Sequence, residues 1–343
     1  MSMPAPARIL IVRLGSLGDL IHALPAVAAL REAWPDAEID WVVEQAHQEL
    51  LRLVPMLARI IVLGRRTAGG WWSVTQELRA RQYDLAIDLQ GLLKSAALAR
   101  GSGARRVVGF DRAALREPAA RVFYTEAVTV GEGRHVIEKN LALVRHLTPG
   151  HLDSGTPTRL PRFPLAKTPS PALEALRAQG VDDFAVINPG AAWPNKRWPP
   201  QLFGEVARVI RSTYGWTPVV LWGPGEQAVA QAVVAGSGGV ALCAPATTLA
   251  DLVAMARAAK LFLSGDTGPL HIAGATGTPI VALFGPTSPA RNGPWDDRDV
   301  SISRYESCDC HYKRLCHRPA TWCLGDVTVD EVTQAIARRL GAR

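Results

Sequence analysis

The chain has 343 residues, 48% of them hydrophobic and 20% charged, with a formal net charge of +7. That length accommodates two domains with separate cores, and the composition is that of a soluble globular protein. No apolar run approaches the ~20 residues of a transmembrane helix, the first eight residues lack a secretory layout, and Walker A, GxSxG and HExxH patterns are absent, so the expectation is a cytosolic protein outside those enzyme classes.

In chain order, residues 8–14, 38–43, 59–63, 83–89 and 106–110 read as strands, with helical patterns at 20–34 and 92–100 and a closing helix at 134–147. Such βαβα order implies a parallel sheet covered on both faces. A Pro-rich stretch, 148–171, reads as a linker. The rhythm then restarts, with strands at 184–188, 218–222, 260–264 and 279–284, helices at 201–212, 226–235 and 249–258, and a last helix at 328–340. The predicted class is α/β, with two doubly wound Rossmann-like domains facing a cleft at the strand C-terminal ends.

Asp19 follows Gly15 and Gly18 directly after the first strand. It suits a helix cap, or a general base for a reaction in the cleft; the two readings remain open. Lys196 and Arg197 lie on a loop stiffened by Trp193, Trp198 and several prolines, beyond the strand at 184–188; two cations there suit a phosphate group. Asp266, Thr267 and Gly268 form a turn after the strand at 260–264, with Pro269 opening a helix and His271 in its first turn. A helix N-terminus beside a glycine is a site for a phosphate or diphosphate. Gly223 and Gly225 superficially fit a dinucleotide fingerprint, but no acidic residue follows at the required distance; Glu226 beside them reads as a ribose contact or a helix start. Cys308, Cys310, Cys316 and Cys323 fall within 16 residues. A four-thiolate structural metal site, packed reduced thiols and a disulfide are the alternatives.

The positive charge is uneven. Residues 55–124 hold 12 Lys and Arg against 5 Asp and Glu, which accounts for the whole excess. This window contains Arg65, Arg66, Lys94, Arg105, Arg106, Arg112 and Arg116. It reads as a solvated basic face or as a surface for an anionic partner such as acidic lipid headgroups. With no helix-turn-helix, zinc-finger or RRM signature, nucleic acid is not the expected partner.

The segments around Leu14–Asp19, Asn188–Pro199 and Ser264–His271 occur in the order found in the ADP-heptose:lipopolysaccharide heptosyltransferases, glycosyltransferase family nine, which the chain resembles over nearly its whole length. Residues 88–96 and 109–118 look like the heptosyltransferase I branch. The resemblance implies a GT-B fold with an acceptor-binding domain (1–165), a nucleotide-sugar donor-binding domain (166–327), and a last helix (328–343) crossing back to the first. It implies inverting transfer of L-glycero-D-manno-heptose from ADP-heptose to Kdo of the lipopolysaccharide inner core, on the cytoplasmic face of the inner membrane, with no catalytic cofactor. Carried over by residue, Asp19 is the base, Lys196 meets the donor diphosphate, Thr267, Gly268 and His271 line the phosphate site, Asp266 lies near the donor sugar, and Glu226 meets the ribose. Arg65, Arg66, Lys94 and Arg116 would face the Kdo-lipid A acceptor. Two features depart from the branch: Ala191 and Ala192 stand where relatives place hydroxyl residues before the lysine, and the cysteine cluster is unlike the heptosyltransferase I pattern. The alternatives are a family-nine transferase with another sugar nucleotide or acceptor, a nicotinamide-dependent oxidoreductase, and a noncatalytic nucleotide-sugar binding module.

Overall fold

The computed structural model describes residues 5–64, 67–131, 133–149, 161–317 and 323–341. The chain divides into two compact units, the break falling after Ala166. The first contains β1 (Arg8–Val12), α1 (Leu17–Ala33), β2 (Glu38–Glu44), α2 (Gln48–Leu51), β3 (Arg59–Leu63), α3 (Ala68–Ala80), β4 (Leu85–Asp88), α4 (Leu93–Gly101), β5 (Arg106–Phe110), β6 (Glu126–Val128) and α5 (Val136–Leu147). Its strands form one parallel sheet in the order β3-β2-β1-β4-β5-β6.

The second unit contains α6 (Pro171–Ala178), β7 (Phe184–Asn188), α7 (Pro200–Tyr214), β8 (Thr217–Val220), α8 (Gln227–Gly236), β9 (Leu242–Cys243), α9 (Leu249–Ala258), β10 (Leu261–Gly265), α10 (Gly268–Thr276), β11 (Ile280–Phe284), α11 (Pro289–Asn292), β12 (Val300–Ser303) and α12 (Val329–Leu340). Its parallel sheet runs β12-β11-β10-β7-β8-β9. Counted within its own unit, each sheet has the order 3-2-1-4-5-6 of the doubly wound dinucleotide-binding fold. In such sheets ligands bind beyond the strand C-terminal ends where the order reverses. Those switch points lie between β1 and β4, where Val12 pairs with Asp88, and between β7 and β10, where Asn188 pairs with Ser264.

The central strands are apolar runs because both their faces are covered. Ile9, Leu10, Ile11 and Val12 of β1 are fully buried, as are Leu261, Phe262 and Leu263 of β10. Each such side chain contributes about 1.5–3 kcal/mol on burial. Local signals set the helix ends: Thr248 with Asp251, and Thr328 with Glu331, form capping boxes at α9 and α12, and α7 stops at Gly215 in the left-handed conformation.

Several elements differ from the sequence expectation. β6, β9 and β12 are edge strands of two to four residues, too short for an alternating pattern to register. Helix α1 begins three residues earlier than expected, so Asp19 is its third residue and Ser16 its N-cap. Of the expected linker, 150–160 lie outside the described residues, and α6 starts at its last residue with Ser170 as cap. Within the second unit the closing helix packs on α7, β11 and β12, with Val332, Ala335 and Ile336 in that unit's core beside Trp198 and Phe203.

Candidate active site

In the first unit the chain leaves β1 through Arg13, Leu14 and Gly15 before turning into α1. Gly15 fits a close approach: a Cβ there would stand 2.8 Å from the His47 ring. At the third helical position Asp19 reaches back, its Oδ2 accepting from the Ser16 backbone N–H at 3.1 Å and from the Ser16 hydroxyl at 3.2 Å. Its Oδ1 lies 2.7 Å from Arg13 Nη2. The cap geometry is therefore present, and an arginine partner that no sequence spacing announced accompanies it.

At the end of β4, Asp88 is fully buried and accepts four hydrogen bonds: from Gln90 N (2.8 Å), Gly91 N (3.2 Å), Ser95 Oγ (2.9 Å) and Tyr124 Oη (2.7 Å). Burial pushes its carboxyl up, against the lowering effect of these donors. The donors hold the β4–α4 turn, from which Leu89 O accepts from Arg13 Nη1 and Gln90 Oε1 accepts from Leu14 N at 2.8 Å. Both ends of the switch point are thus tied together.

The basic window is not one face. Lys94, at the start of α4, lies 3.3 Å from Glu44, and Arg112 and Arg116 are exposed beyond the C-terminal end of β5. Arg105 and Arg106 sit instead at the N-terminal end of β5, the opposite edge of the sheet, where they pair with Asp84 and Glu126. Arg65 and Arg66 lie outside the described residues.

The second unit gathers its residues at the end of β10. Asp266 is 4% exposed and its carboxylate is ringed by donors: Lys196 Nζ at 2.5 Å and Thr287 Oγ1 at 2.6 Å on Oδ2, Asn292 Nδ2 at 2.8 Å and His271 Nε2 at 3.4 Å on Oδ1. Burial alone would raise its pKa; the His271 hydrogen bond and the Lys196 charge outweigh that and hold the carboxyl far below the usual range. Lys196 ends the short 3₁₀ turn Pro194–Lys196, its ammonium over the Trp193 ring at 4.7 Å. Thr267 caps α10, with its hydroxyl fixed by Asn188 Nδ2 at 3.0 Å, which also donates to Ser264 Oγ at 2.9 Å.

Lys196, Asp266, Thr267, Gly268 and His271 therefore come together as expected from sequence, with one difference. The lysine is not a bare cation awaiting phosphate but is paired with Asp266. Asn188, Thr287 and Asn292 complete the group. Asn188 opens the segment Asn188–Pro199, already marked by its glycine and prolines, and Thr287 follows Gly285 and Pro286; Asn292, on the four-residue α11, carried no signal. Glu226 caps the start of α8, its carboxylate accepting from Gly223 N at 3.1 Å. It packs on Gly190, where a Cβ would fall 2.1 Å from Glu226 Oε2. The glycines at 223 and 225 thus serve this turn.

Cys308, Cys310, Cys316 and Cys323 cluster, with the Cys310 backbone N–H donating to Cys308 Sγ at 3.3 Å. Cys310 Sγ is 3.6 Å from Cys316 Sγ and 3.1 Å from His317 Nδ1. Cys323 is pushed up to about 12, by burial first and then by the charge and hydrogen bond of Cys308. The donor set is one that zinc or iron accepts, but among the described residues no three such ligands are gathered as a metal-binding group.

The sequence model of glycosyltransferase family 9 (heptosyltransferase) matches residues 71–321. Lipopolysaccharide heptosyltransferase 1 of Pseudomonas aeruginosa is 33% identical over 320 residues, covering 90% of this chain and 87% of that one. The protein of the same description from Salmonella typhimurium is 30% identical, covering 86% and 93%. Among solved structures, E. coli heptosyltransferase WaaC with ADP superposes with a TM-score of 0.77 at 25% identity, covering 98% of both chains. The same protein with ADP-2-deoxy-2-fluoro heptose gives 0.75 at 26%, covering 96% and 98%. The oxidoreductase alternative is not favoured by any of these likenesses, and the two sheets are those of a GT-B fold. The chain belongs to glycosyltransferase family 9, the heptosyltransferases.

Proposed function

We propose that the chain transfers L-glycero-D-manno-heptose from ADP-heptose to a Kdo residue of the lipopolysaccharide inner core, with inversion. The observation that carries this reading is the group at the α10 N-terminus, where Lys196, Thr267, Gly268 and His271 surround Asp266 at the switch point of the second sheet. Support also comes from relatives described as lipopolysaccharide heptosyltransferase 1 and from a neighbour solved with a fluorinated ADP-heptose.

In this mechanism Asp19 takes the proton of the acceptor hydroxyl as its oxygen bonds to the anomeric carbon. The bond from that carbon to the diphosphate breaks, and ADP leaves with the electron pair. Charge developing on ADP is met by Lys196 and by the backbone N–H groups of the first turn of α10. An ammonium has three donors. Two of them are directed at Asp266 Oδ2 and O, which leaves one for a phosphate oxygen while the carboxylate keeps the cation in place. Asp266 lies near the sugar, and Glu226 takes the ribose hydroxyls.

Lys94 and Arg116 serve the anionic acceptor. No helix among the described residues is long and apolar enough to cross a membrane, and we place the protein peripherally on the cytoplasmic face of the inner membrane, held by its basic side chains. The cysteine loop is assigned a structural role apart from transfer. The test of the function is ADP release from ADP-heptose in the presence and absence of Kdo-lipid A. Release with another sugar nucleotide in place of ADP-heptose would move the chain to a different donor within the same family.

A further inference from the structure

We propose that Arg13 is a positioning residue for transfer: held by the β4–α4 turn, its guanidinium orients the Asp19 carboxylate for proton removal. The inference rests on the reading of Asp19 as the base.

Arg13 is only 8% exposed, a rare burial for a guanidinium unless it is paired; its Nε has no hydrogen-bond partner among the described residues, and its two terminal nitrogens carry its contacts. One terminal nitrogen donates to Leu89 O; the other is 2.7 Å from Asp19 Oδ1. Leu89 sits in the turn that buried Asp88 fixes through Gln90 N and Gly91 N, while Ser95 and Tyr124 hold Asp88 itself. Gln90 Oε1 returns to Leu14 N, closing a loop of contacts around the arginine. The second carboxylate oxygen is held by Ser16. Asp19 is thus fixed at both oxygens, one by its own helix start and one by a cation anchored on the β4–α4 turn. The planar fork of arginine spans a carbonyl and a carboxylate at once; the point charge of a lysine does not. This gives a role to the Asp88–Gly91 segment, which the donor and acceptor contacts leave unused.

The other charged or titratable groups of the neighbouring elements are His22 on α1, Glu44 at the end of β2 and His47 beyond it, Lys94 of α4 at 3.3 Å from Glu44, and His135, the N-cap of α5, its ring 5.4 Å from that of His22. They are unchanged in the variants below, so a difference in pH response reads Arg13.

The test compares wild type with Arg13→Met, Arg13→Lys, Gln90→Met and Asp19→Asn. It measures kcat and KM for ADP-heptose transfer to Kdo-lipid A across pH, with donor binding by calorimetry. Arg13→Met is expected to lose on the order of 10²-fold in kcat, to keep donor affinity, and to move the acid limb of its pH profile upward because a cation beside the base is gone. Arg13→Lys is expected to keep the limb near its wild-type position and recover part of kcat. Folded Arg13→Met with wild-type kcat, or with reduced stability and an unmoved limb, overturns the inference. Should Arg13→Met not fold, Arg13→Lys and Gln90→Met decide: lowered kcat at unchanged donor affinity supports the role, and wild-type kcat in both overturns it. Asp19→Asn separates the two claims. If it turns over at the wild-type rate, the base reading itself falls; if it is inactive while Arg13→Met is normal, only the role of Arg13 falls.

Discussion

Lys196 Nζ lies 2.5 Å from Asp266 Oδ2, a pair in which the carboxylate side chain is 3% and the lysine side chain 14% exposed. Removing one partner of such a pair leaves a buried charge partly uncompensated, although Thr287, Asn292 and His271 still donate to Asp266. Lys196→Met is therefore expected to lower stability by about 1–3 kcal/mol and transfer by roughly 10²–10³-fold. Urea denaturation and ADP release read the two effects separately.

The same carboxylate gives a pH dependence with a definite sign. Its folded-state pKa is depressed, with burial opposing and the His271 hydrogen bond and Lys196 charge prevailing. The stability it contributes is therefore present above its unfolded value of about 3.9 and is lost as pH falls below that. Asp266→Asn is expected to be less stable than wild type at pH 7, with the difference holding down to about pH 4 and narrowing only as pH falls further. Denaturation midpoints at several pH values check this; a constant difference contradicts it.

A Cβ at position 190 would fall 2.1 Å from the Glu226 carboxylate. Gly190→Ala should displace that side chain from the β8–α8 turn and raise KM for ADP-heptose about tenfold, or ~1.4 kcal/mol, with kcat little changed. Steady-state kinetics against donor concentration is the measurement, and an unchanged KM removes Glu226 from the ribose.

In the proposed transfer Asp19 takes the proton and Lys196 with the α10 N-terminus meets the charge on ADP, so treatment with a chelator should leave kcat within about twofold. Cys316→Ser, which removes the 3.6 Å contact with Cys310, should lower the melting temperature more than it lowers turnover. Elemental analysis of the purified protein states whether the four thiols hold an ion.

The α/β class and both sheets were legible because fully buried parallel strands are uninterrupted apolar runs, as at 9–12 and 261–263. The glycines and prolines at 15, 18, 190, 223 and 268–269 marked the strand ends where the candidate residues lie. What could not be read was long-range pairing. Arg13 meets Leu89, Asp88 meets Tyr124, and Asp266 meets Asn292 only once the strands are set in order. The basic window misled for the same reason: residues close in sequence, such as Lys94 and Arg105, lie at opposite ends of α4 and β5, so a local excess of charge did not make a single face.

The most direct test is turnover of ADP-heptose with Kdo-lipid A by wild type and by Asp19→Asn, each with its donor affinity measured. The account predicts ADP release and heptosylated product from wild type, and a loss of about 10²–10⁴-fold in kcat for Asp19→Asn with donor affinity intact. A wild-type protein that releases no ADP, or an Asp19→Asn variant that turns over at the wild-type rate, would contradict it.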